Sequence, residues 1–181
     1  MSDAAKEQLV VTHDLARDPT IASLLWMLED CRRLTLETVA GLGLATLDWG
    51  PPVGGNSIGA LLYHTAGVEM DWLFVEVLGQ DPPAEIVVLF PRDMHEDGGH
   101  LTRWRGEALP ALEHRLAVVR RHLLAAYRDM TPEDFRRPRS LPDYDVTPEW
   151  VLHHLLQDEA THRGEIGMIK LLAGQLQTPA R

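Results

Sequence analysis

"TPEWVLHHLLQDEATHRGEIGMIKLLAG" (residues 147–174) has the pattern of a helix with two polar side chains on its apolar face. Its threonine, proline and glutamate are favoured, in this order, at the cap, the first position and the first turn of a helix, and Gly174 marks the end. At 100° per residue, Asp158 and His162 share a face with three apolar residues, which are Val151, Leu155 and Ile169. We therefore predict a helix over about residues 148–173 with a carboxylate and an imidazole in its core-facing stripe.

A second stretch, "GGNSIGALLYHTAGVEMDWL" (residues 54–73), shows a similar combination. Ser57 can cap a helix here and Gly79 can stop it, which predicts a helix over about residues 57–79. Its apolar face contains His64, and Asp71 falls on the same face two turns further along. The other members of that face are Leu61, Val68, Trp72 and Val75. A second imidazole is thus expected to point into the core.

Two more helices are predicted over about residues 19–42 and 107–128. Apart from Thr35, the apolar stripes of these helices contain no polar residue. Polar side chains are therefore expected inside only two of the four helical stripes. The basic pair Arg120–Arg121 and the run "FRRPRS" (residues 135–140) are interpreted as solvated surface.

Four helices of this length, without strand alternation of comparable strength, predict an all-α fold. We expect a four-helix bundle that forms a single domain over residues 1–181. The connectors after the second and third helices are long enough for a crossover. In the first of them, residues 80–106, the piece "AEIVVLF" fits a short helix or an extended segment, and the sequence leaves both open. The connector leaves open an approach of His95 and His100 to the other polar residues, but we interpret both as flexible surface residues.

The balance of charges limits the classes of function. With 27 acidic and 17 basic side chains the formal net charge is -10, and such a surface repels a phosphate backbone. Nucleic acid is therefore not expected as a partner. No apolar run is long enough to span a bilayer and the N-terminus lacks a signal-peptide pattern, so we expect a soluble cytoplasmic protein without a membrane partner. The single cysteine, Cys31, is expected to be a small buried core residue.

Asp158 requires a partner, because burying an unpaired carboxylate costs several kcal/mol. One answer is an ion pair or hydrogen bond with His162 or His64. The other is a divalent cation, bound by two ligands four residues apart on one helix and by a third from a facing helix. The spacing leaves this choice open, and it also leaves open a different ligand set made of His64, His154 and Asp158.

The two stretches together resemble the DinB/YfiT-like superfamily of metal-binding four-helix bundles. The similarity lies in "LLYH" followed by an acidic residue and a tryptophan, and in "HRGEI" near the end of the last helix. The resemblance implies an up-down-down-up bundle and metal ligands at His64, Asp158 and His162. The family typically has three histidines, so the aspartate in the middle position is a departure. Two histidines and one carboxylate still suit iron(II), manganese or zinc, and nickel is a further candidate.

The resemblance also implies a function for the expected metal centre. Characterised branches of the family form dimers and carry out thiol-dependent transferase or isomerase chemistry with low-molecular-weight thiols. We therefore expect a divalent-metal-dependent enzyme, in a homodimer, that acts on a small-molecule substrate by thiol transfer or a hydrolysis-like reaction. Glu165, one turn after His162, is the candidate catalytic base. The alternative is a non-catalytic, stress-associated or binding bundle in which the polar residues form a structural network or a decayed metal site.

Overall fold

Long helices dominate the computed structural model, which describes residue 6 and residues 8–52, 54–96 and 98–177. The described residues form seven α-helices and one two-stranded hairpin. They are α1 (Pro19–Val39), α2 (Leu44–Leu47), α3 (Ile58–Asp71), α4 (Ala84–Val87), α5 (Leu109–Arg128), α6 (Pro132–Arg136), β1 (Arg139–Ser140), β2 (Asp145–Val146) and α7 (Pro148–Gln177). The bundle is formed by α1, α3, α5 and α7, which confirms the predicted all-α fold and its four long helices.

Capping side chains fix where the helices of the site begin. The Ser57 hydroxyl accepts a hydrogen bond from the backbone N–H of Ala60, and the Thr147 hydroxyl accepts one from the N–H of Trp150. Both predicted starts are therefore confirmed. The predicted end at Gly174 is wrong, because α7 continues through it to Gln177.

The directions of the bundle helices follow from the residues that touch. Along α1 and α7, the residue numbers of the contacting side chains increase together, and the same holds for α3 and α5. The two helices of each pair are therefore parallel. The pairs are Cys31–Arg163 and Thr38–Lys170 for the first, and Tyr63–Arg115 and Glu69–Arg120 for the second. Along α3 and α7 the numbers run in opposite directions, since His64 meets His162 and Trp72 meets His154. An up-down-down-up order requires such pairings, with a crossover between α3 and α5.

The crossover connector packs onto the bundle instead of looping away from it. The undecided piece "AEIVVLF" contains the one-turn helix α4, and Ile86 within it is fully buried. Further along, the Trp104 ring stacks on Tyr63 at a centroid distance of 4.0 Å. The Arg115 guanidinium lies 5.0 Å from the centroid of the Tyr63 ring. These contacts cover α3, whose residues 58–69 are all buried.

A buried ion-pair network, which the helical pattern of the sequence does not indicate, links the four long helices. Arg32 of α1 and Arg120 of α5 each contact both Glu69 of α3 and Glu159 of α7, with N···O distances from 2.7 to 3.2 Å. The expectation that α1 and α5 bury only apolar stripes is wrong, and so is the placement of Arg120 on a solvated surface. Two carboxylates offset two guanidinium groups, which is what allows all four to be buried.

The second predicted helix is not α-helical to its end. Residues Trp72–Val77 continue α3 as a π-helical segment, in which the Leu78 N–H donates to the Leu73 carbonyl. The wider turn changes which side chains face the core. Val75, predicted to be in the core, is 43% exposed, whereas Glu76 is 6% exposed.

A short hairpin precedes α7 and forms the edge of the bundle near its N-terminus. Strand β1 pairs antiparallel with β2, with Arg139 opposite Val146 and Ser140 opposite Asp145. Within the described part of the chain, no helix is both long and apolar enough to cross a membrane.

Candidate metal centre

Three side chains predicted as metal ligands come together between α3 and α7. His64 projects from α3, and Asp158 and His162 project from α7, one turn apart. One ligand atom of each lies within 4.8 Å of the ligand atoms of the other two. The rings of His64 and His162 meet at right angles with their centroids 5.0 Å apart. The sequence-derived set therefore converges as expected.

The cluster lies at the edge of the buried core, where a small molecule can reach it. His64 is only 6% exposed, whereas the side chains of Asp158 and His162 are 18% and 15% exposed. The Nε2 atom of His162 lies 3.5 Å from the Oδ1 atom of Asp158. The two residues of α7 thus form one wall of the cluster and His64 forms its floor.

Unsatisfied nitrogen atoms show that the donor set fits a cation. The Nδ1 atoms of His64 and His162 are both buried, and neither has a hydrogen-bond partner among the described residues. Leaving such a group unsatisfied costs about 1–3 kcal/mol. A divalent ion bound by imidazole nitrogen would remove this cost, and two imidazoles with one carboxylate are suitable ligands for zinc, iron(II), manganese or nickel.

The protonation states of the three groups are set by burial and by one another. Burial lowers the pKa of His64 to about 4, which keeps this imidazole neutral and able to coordinate a metal near neutral pH. Burial opposes ionisation of Asp158, but His162, His64 and His154 outweigh it and lower the pKa of the carboxyl group. For His162 burial is likewise outweighed, because contacts with Asp158 and Glu165 raise its pKa.

Glu165 is close to the cluster but outside it. Its Oε2 atom lies 3.6 Å from the Nδ1 atom of His162, and its side chain is 44% exposed. It is therefore in contact with a candidate ligand and with solvent at the same time. Such a position suits a group that orients His162 or exchanges protons with a bound molecule.

His154, the other candidate ligand on α7, is directed elsewhere. Its ring stacks on Trp150 at a centroid distance of 5.0 Å and lies 4.7 Å from the ring of Trp72. The alternative set of His64, His154 and Asp158 is thus not the one whose ligand atoms converge. Instead, His154 separates the cluster from a group of aromatic side chains at the start of α7.

The crossover connector brings a further histidine to the site. The ring of His95 lies 5.2 Å from that of His64, edge to face, and His95 is held by an antiparallel bridge to Leu101. His95 is exposed, in agreement with its interpretation as a surface residue, but it lies against the site. The sequence does not indicate the position of His95 beside His64, because a connector without regular secondary structure shows no periodicity.

A cavity of about 420 Å³ lies beside the cluster. It is enclosed by the glycine- and proline-rich loop before α3 and by the connector around the His95–Leu101 bridge. Ala60, one turn before His64, lines it, and so do three basic side chains, which are His100, Arg103 and Arg105. His100 thus faces a cavity next to the candidate centre.

Cys31 takes no part in the cluster and is buried, as predicted. It is 5% exposed, and burial together with the charge of Glu159 raises the pKa of its thiol. Arg163 donates a hydrogen bond to the Cys31 sulfur at 3.8 Å. A raised pKa disfavours the thiolate, so this cysteine is not an activated nucleophile.

The helices and the cluster define a class of protein, namely four-helix bundles with inward-facing histidine and carboxylate groups between two antiparallel helices. The model of the DinB superfamily matches residues 27–166, well over half of the chain and all three converging groups. The chain belongs to the DinB superfamily. A search of curated proteins found no match.

Proposed function

We propose that this protein binds a divalent metal ion at His64, Asp158 and His162 and acts with it on a small-molecule substrate. The observation that carries this proposal is the convergence of one ligand atom from each of the three side chains. The buried Nδ1 atoms of His64 and His162, which have no hydrogen-bond partner among the described residues, add to it. Three protein ligands leave further coordination positions open, which is typical of catalytic sites as opposed to structural ones.

The proposed chemistry is thiol transfer or a hydrolysis-like reaction. A bound divalent ion lowers the pKa of a water or thiol that reaches it and stabilises the resulting anion. Glu165, beside His162 and open to solvent, accepts the proton that this group loses. The sulfur or oxygen then bonds to an electrophilic carbon of the second substrate, whose leaving group departs with its electron pair.

We further propose that the substrate reaches the cluster through the 420 Å³ cavity. Its lining includes Arg103 and Arg105, which supply positive charge in a protein of net charge -10. Low-molecular-weight thiols commonly carry carboxylate groups, and guanidinium side chains bind carboxylates well. His95 and Leu101 form the bridge that lies between this cavity and His64.

The metal content of purified protein tests the proposal. Protein made without a histidine tag is stripped with a chelator, reloaded with zinc, nickel, manganese or iron(II), and dialysed. We expect close to one ion per chain in the wild type and a large loss in His64→Ala. The exposed His114 of α5 provides the matched control, and His114→Ala should retain the ion. Retention in both variants, or no retention in the wild type, would contradict the proposal.

A second candidate function is a binding or structural protein without catalytic activity. The contact between Asp158 and His162 favours it, because a charged imidazole beside a carboxylate already offsets part of the cost of burying both. Assays of the reloaded protein with a panel of thiols and electrophiles distinguish the two. Metal-dependent turnover that His64→Ala abolishes supports the enzyme, and binding of metal without any turnover supports the alternative.

A further inference from the structure

An aromatic pocket of about 500 Å³ opens at the start of α7, beyond His154 as seen from the metal cluster. Its lining residues are Trp72, Tyr144, Asp145, Val146, Thr147 and Trp150. The ring of Trp72 lies 5.3 Å from that of Trp150 and 6.1 Å from that of Tyr144. Three neighbouring aromatic rings thus line one pocket.

The walls of this pocket are exposed to an unusual degree for such large side chains. Trp150 is 46% and Tyr144 44% exposed, while Val146 at the base is 5% exposed. Tryptophan and tyrosine ordinarily bury most of their area in a folded protein. Here their faces line a concave surface where a ligand can cover them.

The charges around the pocket are negative. Asp145 is part of the lining, and lysine and arginine are absent from the lining within the described residues. Behind the ring of Tyr144, the hydroxyl group donates a hydrogen bond of 2.9 Å to Glu76. The second carboxylate oxygen of Glu76 is buried and has no hydrogen-bond partner in the described part of the chain. An acceptor bonded to the phenol enriches its ring in electrons, which strengthens the attraction of the ring face for a cation.

We propose that this pocket binds a small organic cation with an alkylated ammonium group. Trp72, Tyr144 and Trp150 form the cage around the alkyl groups, and Asp145 supplies the opposite charge at the rim. Ring faces attract a positive charge but offer no hydrogen-bond acceptor, so they suit an ammonium whose N–H groups have been replaced by alkyl groups. An anion is disfavoured by Asp145, and the single carboxylate of the lining is too few ligands for a metal ion.

The inference is independent of the proposed function, because the cage shares no residue with the metal cluster. Trp150 lies two turns before Asp158 on α7, and Trp72 lies two turns after His64 on α3. At a rise of 1.5 Å per residue, each spacing of eight residues corresponds to about 12 Å. Binding in the cage can therefore be measured on protein from which metal has been removed.

Two probes of the same shape distinguish the contribution of the positive charge to binding from the contribution of apolar contact. Choline carries a trimethylammonium group, and 3,3-dimethylbutanol replaces its nitrogen by an uncharged carbon. We expect calorimetry on metal-free protein to show choline binding at least about tenfold more tightly than the neutral probe. Equal binding of the two probes, or no binding of choline, would overturn the proposal.

Variants locate the binding site. Trp150→Leu should weaken choline binding by at least about tenfold, and Asp145→Asn should weaken it several-fold without changing the affinity for 3,3-dimethylbutanol. Trp26→Leu, the same substitution on α1 away from the lining residues, should bind like the wild type. If Trp150→Leu melts at a much lower temperature, the half-exposed Tyr144→Leu replaces it. Wild-type affinity for choline in both the aromatic variant and Asp145→Asn would show that the cage is not the binding site.

Discussion

Asp158 stands at the position where the family resemblance leads us to expect a third histidine. A carboxylate placed between two imidazoles contributes a negative charge that a third histidine would not. Its pKa is lowered by its neighbours, so it is ionised and ready to coordinate a cation over the whole neutral range. The aspartate is therefore compatible with a working centre.

The first prediction concerns this position. Asp158→Asn should weaken metal affinity by at least about tenfold, because an amide oxygen carries no charge and binds divalent ions poorly. Asp158→His should retain binding, since it restores the histidine typical of the family. Competition with a chromogenic chelator measures both constants. Unchanged affinity in Asp158→Asn would remove this residue from the ligand set.

Glu165 carries the second prediction. In Glu165→Gln the reloaded protein should keep its metal while its turnover falls by about 10²–10⁴-fold, because proton transfer is lost and the ligands remain. Metal content and turnover are measured on the same preparation. Loss of metal in this variant would instead indicate that Glu165 acts through His162.

Residue-level prediction from the sequence succeeded where periodicity applied. His64, Asp158 and His162 lie on apolar helical faces, so their direction followed from the angle per residue. It failed for Arg32 and Arg120, because a helix pattern does not show that a long charged side chain has a buried carboxylate opposite it. The approach of His95 to the site stayed undecided for another reason, because its position depends on the course of a connector.

At the scale of elements, the ion-pair network holds the four long helices in register. Each helix contributes one buried charged residue, and each guanidinium contacts both buried carboxylates. Arg120 also pairs with the partly exposed Glu29 of α1 at 2.6 Å. Glu159 follows Asp158 directly, so the contacts that fix Glu159 also fix the position of Asp158 along α7. The helix starts were predictable from caps, but this register was not, because it depends on partners in other helices.

The third prediction tests the network by removing one charge. Glu69→Ala should lower the free energy of unfolding by roughly 3–5 kcal/mol, because it leaves two guanidinium groups buried without full compensation. Glu37→Ala removes a carboxylate from an exposed pair with Arg33 and should change stability little. Urea denaturation of both variants gives the comparison, and equal stability would show that the network contributes nothing.

The fourth prediction follows from the pKa of Glu69. Burial would raise this pKa, but Arg120 and Arg32 outweigh burial and lower it below the ordinary value of 4.5. The unfolded chain therefore takes up the proton first, and the stabilisation is present above about pH 4.5 and lost as the pH falls further. The melting temperature should decline below that pH, and decline less steeply in Glu69→Ala. Parallel acid titrations of both proteins provide the test.

At the scale of the whole molecule, α7 exposes apolar side chains near its end, on the face opposite the buried Ile169 and Ala173. Met168 and Leu171 are 57% and 56% exposed, and Leu172 beside them is 36% exposed. Residues spaced by three and four positions share one helix face. Such a face is suited to contact with a second copy of the chain, in line with the homodimer expected from the family.

The fifth prediction is that this face mediates the dimer. Leu171→Glu should shift the protein from dimer to monomer in light-scattering chromatography, because a charge opposed by its symmetry mate disfavours the contact. Glu37→Ala, which changes an exposed residue of α1, should leave the mass unchanged. A monomeric wild type would contradict the prediction.

The π-helical segment after α3 has a consequence for how one helix serves two sites. An extra residue in a turn rotates everything that follows by about 100° relative to a regular α-helix. Residues before the insertion keep the phase that aims His64 at the last helix, whereas Glu76 after it is turned towards the phenol of Tyr144. Deleting a single residue in the π-helical segment would leave the part of the helix before it in place and rotate the part after it out of position. The two sites can therefore vary separately, although one continuous helix supports both.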